Sequence, residues 1–286
     1  MLSVAPQQYL NDLKWLLVGQ EVITADKPFK DFLKPDWQDI FGALVTDPEP
    51  LVEHMRAAKS HFLGTYFEQL FSFAVLRFSQ LTILAEHEQV YDDKRTLGEV
   101  DLVAKDMTGK IWLFEVALKF YLERPDLAPN DWIGPNKNDN LLKKTTHART
   151  HQLKILETGA GRHWLTTLTG FETYCSNLLI FGRLFPKMNV PSEESITKLH
   201  TECGWMYLRD LPCWADWLEA LHVANKPNWI TPSDIEKSEF TDVQALHDAL
   251  EQVFENDSRP QLISCQIRKT PYENTLFWIF ICPNSW

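Results

Sequence analysis

The chain has 286 residues, 44% of them hydrophobic, with 11 Trp and 17 Phe against only 11 Gly. That composition excludes a disordered or low-complexity protein and supplies enough apolar surface for a large core. A net charge of −11 argues against a nucleic-acid coat protein, whose surface should be basic overall. The acidity is uneven: residues 58–160 carry 13 basic and 14 acidic groups, so a nearly neutral middle lies between two acidic flanks.

The five cysteines, Cys175, Cys203, Cys213, Cys265 and Cys282, form no CxxC pair. Their odd number and wide spacing read as reduced, buried thiols rather than a zinc site or a disulfide framework. The longest apolar run near the N-terminus is Trp15-Leu16-Leu17-Val18, unlike a secretory signal, and no stretch approaches the roughly 20 apolar residues of a membrane span. The expectation is a cytoplasmic protein with no membrane partner.

In chain order, Tyr9, Leu10, Leu13, Leu16 and Leu17 give residues 7–18 a helical period, and the Pro- and Trp-containing stretch 28–50 reads as irregular. A long helix is expected over about 56–79, with Leu63, Phe67, Leu70, Phe71, Ala74 and Phe78 on its apolar side. Strands follow at 81–90, 99–105 and 111–121, the last two joined by Asp106-Met107-Thr108-Gly109-Lys110 as a hairpin turn. Trp132-Ile133-Gly134-Pro135-Asn136 reads as loop, and Asp139 as the cap of a helix running to about Glu157. Gly159-Ala160-Gly161 reads as a turn and Asn177–Phe185 as a buried strand. Beyond it the pattern gives a strand at 204–208, a short helix over Cys213–His222, a loop over 226–240, a helix at 242–255 and strands at 261–268 and 275–282. The division is a helical N-terminal extension (1–57), an α/β core (58–186) and an α+β C-terminal lobe (187–286).

The chemistry concentrates in the expected hairpin. With Thr108 at its centre, Asp101 and Glu115 are equidistant from the turn and face each other, about 4.5–5.5 Å apart at Cα. Alternation puts Glu99, Asp101 and Val103 on one face with Glu115, Ala117 and Lys119, and gives the other face to Val100, Leu102, Trp112, Phe114, Val116 and Leu118. Paired carboxylates repel unless neutralised, and a hard divalent cation, Mg²⁺ or Mn²⁺, suits oxygen ligands of this kind. The competing reading is a solvated hairpin edge with a Lys119 ion pair. Glu68 shares a helical stripe with Gly64, Phe71 and Val75, either seeking a partner or reaching to water as a boundary residue.

On the following helix, Leu141, Thr145, Ala148, Gln152 and Ile155 form the inner stripe, so Gln152 is expected to face the sheet. Lys143, Lys144, His147, Arg149, His151 and Lys154 make the other side basic, which suits either a solvated face or contacts to phosphates. His147 and His151 stand four apart but lack a third ligand. Trp205, Trp214 and Trp217 read as core.

The order helix with Glu68, strand, Gly98-Glu99-Val100-Asp101, hairpin, Phe114-Glu115-Val116-Ala117, helix, strand resembles the PD-(D/E)XK nuclease superfamily. The segments Gly64–Glu68, Leu97–Asp101, Glu115–Leu122 and Trp132–Asn136 further resemble a bacterial family of unknown function, domain of unknown function 1853. The first resemblance covers about 58–186 and implies a restriction-endonuclease-like core of helix, three-stranded meander, helix and strand. It implies a metal-dependent nuclease of DNA or RNA, with Asp101, Glu115, the Val116 carbonyl and Glu68 around Mg²⁺ or Mn²⁺. Lys143, Lys144, His151, Gln152 and Glu99 would lie on the substrate side. The superfamily lysine belongs two residues after the glutamate, where this chain has Ala117; Lys119 lies two further on along the same face. The alternative is a nuclease-fold protein that has lost turnover and acts in nucleic-acid binding or as a scaffold.

Overall fold

The computed structural model describes residues 5–19, 21–57, 62–93, 95–232, 238–270 and 273–286. They form a mixed α/β protein. Its elements are α1 (Pro6–Leu17), α2 (Trp37–Thr46), α3 (Glu49–Arg56), α4 (Leu63–Phe78), β1 (Thr82–Asp92), β2 (Arg95–Lys105), β3 (Ile111–Glu123), β4 (Trp132–Ile133), α5 (Leu141–Thr150), α6 (Gly159–Thr169) and β5 (Cys175–Phe185). There follow α7 (Glu193–Thr197), β6 (Cys203–Tyr207), β7 (Leu218–Val223), α8 (Val243–Phe254), β8 (Gln261–Thr270) and β9 (Glu273–Cys282). The chain falls into two compact units, Met1–Lys119 with Lys143–Gly182, and Phe120–Leu142 with Arg183–Trp286.

In the first unit β1, β2 and β3 are antiparallel neighbours, and β5 pairs with β3. The β2–β3 turn is closed by Asp106, whose Oδ1 accepts from Thr108 N at 2.9 Å and Lys110 N at 3.1 Å, while Gly109 takes φ +84°. That left-handed position favours glycine and fixes the register. Phe114 and Trp112 on the apolar face meet Phe32 at 5.4 and 5.1 Å, and Phe29, Phe67 and Phe71 gather around Phe181. In the second unit the sheet order is β6-β9-β8-β7, with β6 and β9 parallel. Val243, Leu246 and Leu250 of α8 share its core with Ile263, Phe277 and Ile279.

Several expected elements are corrected. The stretch 28–50 holds a 3-10 turn at Phe29–Phe32, α2 and the start of α3. Pro48 and Pro50 sit where α3 begins, where a missing N–H leaves no bond unmade, so they open a helix rather than break one. Phe29 and Phe32 of the 3-10 turn are buried aromatics, whereas α2 buries only Leu44. The helix expected from about 56 is α4, from Leu63; residues 58–61 lie outside the described ones. Trp132–Ile133 is a short strand paired with Leu122 and Glu123.

The helix expected to reach Glu157 stops at Thr150; His151, at φ −127° and ψ −63°, breaks it into a 3-10 turn at Gln152–Glu157. Gly159-Ala160-Gly161 opens α6, with Thr158 Oγ1 accepting from Gly161 N at 2.9 Å as the N-cap. A Cβ at Gly161 would overlap the Ile155 carbonyl, so the glycine serves close packing. Over Cys213–His222 there is the end of a 3-10 turn, Leu208–Trp214, and then β7. In the 226–240 stretch, 233–237 lie outside the described residues. No helix among the described residues is long and apolar enough to cross a membrane.

Candidate functional site

Asp101 stands where the sheet ladder opens on both sides. The β2–β3 register runs Lys105↔Ile111, Ala104↔Trp112, Val103↔Leu113 and Leu102↔Phe114, the Thr108-centred register, and ends one step before Asp101 and Glu115. On the other side Glu86↔Leu102 and Glu88↔Val100 are partners, but the pair between them, His87 and Asp101, is skipped. The Asp101 side chain fills the opening, its Oδ2 accepting from Val116 N at 2.9 Å.

Glu115 is 4% exposed and lies in a layer of buried apolar residues. Its partner comes from α5: Lys144 Nζ donates to Glu115 Oε1 at 2.7 Å and to Gln152 Oε1 at 3.2 Å. The Lys144 side chain is only 16% exposed, so the ion pair sits largely out of water. Burial, reinforced by the adjacent Glu115 carboxylate, pushes the Asp101 carboxyl up to about 7, against the pull of the Val116 N–H and the Lys144 charge. Two carboxylates and one ammonium thus share a partly sealed space, a poise suited to holding a cation or a proton.

The expected residues divide into those this space gathers and those outside it. Asp101, Glu115, Lys144 and Gln152 meet there. Val116 joins through its N–H, whereas a carbonyl ligand was expected. Lys119 is partly buried on β3, its backbone closely approached by Gly182 of β5. Glu68 is exposed, which corrects its expected place on an apolar stripe. The buried face of α4 runs through Phe67, Leu70, Phe71, Ala74 and Phe78, and Glu68 lies beside it. Among the described residues no group of three or more His, Cys, Asp or Glu is arranged to hold a metal ion, so Glu68 does not complete a carboxylate cluster.

Glu99 is exposed and lies 3.5 Å from His87 Nδ1. Lys143 and His151 are exposed; His151 stacks on His147 at 4.9 Å and lies 2.7 Å from Thr150 Oγ1.

The sequence pattern sets Lys144 on the basic outer side, a solvated face or one that contacts phosphates, and does not single out His87. The signal for Lys144 was present: it precedes the buried Ala148 by four positions, one turn along the same face of α5. For His87 no pattern marks the site, because its left-handed backbone, φ +50° within a strand, has no sequence signature.

The donor set fits a hard cation. Mg²⁺ is commonly held by one or two carboxylates with water and substrate phosphates, so Asp101 and Glu115 suffice in kind. No curated protein and no solved structure shows a significant match to this chain. A family match does extend over residues 11–277, and the chain belongs to that family, described as "Domain of unknown function (DUF1853)".

Proposed function

We propose that the first unit is a restriction-endonuclease-like core and that the protein is a metal-dependent hydrolase of phosphodiester bonds in DNA or RNA. The reading rests on one arrangement, the buried gathering of Asp101, Glu115 and Lys144 at the open end of a hairpin. Supporting it are the antiparallel β1-β2-β3 meander after α4 and the pairing of β5 with β3. Asp101 and Glu115 would hold Mg²⁺ or Mn²⁺, and such an ion, when bound, lowers the pKa of water and offsets phosphate charge.

The chain's own residues do the remaining work. Lys144 supplies, from α5, the ammonium that Ala117 withholds from β3, within reach of charge developing on a phosphate. Gln152 holds that ammonium in place at 3.2 Å. Lys119, on β3 itself, is the second cation, and exposed Lys143 and His151 offer contacts to the flanking backbone of the substrate.

The test is cleavage of single- and double-stranded DNA and RNA with Mg²⁺ or Mn²⁺ by wild type and Asp101→Asn. Metal-dependent cleavage lost in the variant is expected; equal rates in both would reject the site. A second reading, a nuclease-fold protein that binds or scaffolds without turnover, is favoured by the ion pair itself, since Lys144 neutralises Glu115 with no metal. Nucleic-acid binding by wild type without cleavage of any substrate supports that reading.

A further inference from the structure

In the β1–β2 register His87 falls between the partnered Glu86 and Glu88, opposite Asp101 of β2, and the β2–β3 register continued one step sets Asp101 opposite Glu115 of β3, so one residue from each of three adjacent strands lies in line. Exposure rises along it: Glu115 is 4% exposed, Asp101 half-buried, and the His87 side chain 43% exposed. The deep end is closed by Lys144 and Gln152. The row therefore opens at His87, on the edge strand.

The backbone there is strained. A φ of +50° is disfavoured for a residue with a Cβ, and more so within a strand, where His87 interrupts the run of partners from Ala85 to Val90 between two register shifts, at Ile83/Ala85 and Val90/Tyr91. Glycine or asparagine would occupy that position at lower cost. A histidine occupies this position all the same, and its imidazole faces a carboxylate: Nδ1 lies 3.5 Å from Glu99 Oε1. The far ring nitrogen, Nε2, is turned away from Glu99 by the shape of the ring.

We infer that His87 is a substrate-contacting residue at the mouth of the Asp101–Glu115 site, its Nε2 meeting a phosphate oxygen next to the scissile bond. Nδ1 faces Glu99, so Nε2 is the ring nitrogen left to a phosphate oxygen, and a hydrogen bond to that charged oxygen is a strong one. This deepens the proposed phosphodiesterase function and rests on it.

The experiment compares wild type, His87→Gly and His87→Asn in three measurements: thermal unfolding, Mn²⁺ binding by calorimetry, and KM and kcat on labelled DNA and RNA oligonucleotides. A charge-assisted hydrogen bond carries roughly 1.5–3 kcal/mol, so KM should rise about 10- to 100-fold in His87→Gly, with kcat and Mn²⁺ affinity nearly unchanged. His87→Asn, which accepts the same backbone and keeps a donor, should fall between. Both variants should unfold at or above the wild-type temperature, because the strain is relieved. A wild-type KM in His87→Gly, or a loss of stability alongside the loss of binding, overturns the inference and leaves the carboxylate site standing. Wild type that neither binds Mn²⁺ nor cleaves any substrate overturns the underlying function, and this inference with it.

Discussion

Lys144 Nζ stands 2.7 Å from Glu115 Oε1, with both side chains almost wholly out of water. Glu115 belongs to the apolar heart of β3, so removing the ammonium leaves an uncompensated buried carboxylate. Lys144→Met should therefore cost about 3 kcal/mol or more. Lys144→Met combined with Glu115→Leu should recover most of that loss, because no charge is then stranded. Chemical denaturation of both single variants and the double variant gives the coupling. Additive losses would mean that the pair does not stabilise this unit.

The Asp101 carboxyl, raised to about 7 by burial and by Glu115, makes stability fall with pH. An unfolded aspartate titrates near about 3.9, so from there to about 7 the folded chain keeps a proton that the unfolded chain releases. This contribution is fully present below about pH 4 and lost as pH rises through about 7. Without divalent metal, the unfolding temperature of wild type should decline across that window relative to Asp101→Asn. Parallel curves for the two proteins would show that Asp101 ionises as an ordinary carboxylate.

The hairpin was legible because turn chemistry and alternation are local: Asp106 and Gly109 set the register, and the register sets Asp101 near Glu115. The helix facing that hairpin was less legible. Treating residues 139–157 as one helix gave a single inner stripe, whereas the backbone breaks at His151 and buries only Ala148 of α5. Lys144 was set outside because a lysine is ordinarily solvated; its buried partner lies 29 positions earlier in the chain and is a matter of tertiary packing. Glu68 turned out as the boundary residue reaching to water: Phe71 and Val75 of its stripe are buried, whereas Gly64 and Glu68 are exposed. The Pro- and Trp-containing stretch 28–50 reads as irregular, yet its Pro48 and Pro50 sit at a helix start.

Lys143 is exposed beside Lys144, and the proposed function gives it a different task, contact with backbone phosphates. Lys143→Glu should weaken nucleic-acid binding and reduce the slope of log affinity against log salt by roughly one unit. Metal affinity should stay near wild type, since the carboxylate site is held by Lys144 and not by exposed Lys143. Fluorescence anisotropy at several salt concentrations measures the slope, and an unchanged slope removes Lys143 from the interface.

Gly182 tests whether β3 must stay where β5 holds it. Its φ is +137°, and a Cβ placed there would overlap the backbone carbonyl of Lys119, which cannot move aside as a side chain would. Gly182→Ala should therefore displace the two strands locally and cost about 1–3 kcal/mol, the range of an overpacked site. The displacement falls at Lys119, four positions beyond Glu115, so Mn²⁺ binding through Asp101 and Glu115 should survive in the folded variant. If Lys119 supplies charge to the reaction, kcat should fall with that displacement, and Lys119→Met should lower kcat without the same loss of stability. Denaturant midpoints and single-turnover rates with saturating Mn²⁺ separate the two effects. Wild-type stability in Gly182→Ala would mean that the strands part freely at Lys119, and a wild-type rate in Lys119→Met would leave the cationic role to Lys144 alone.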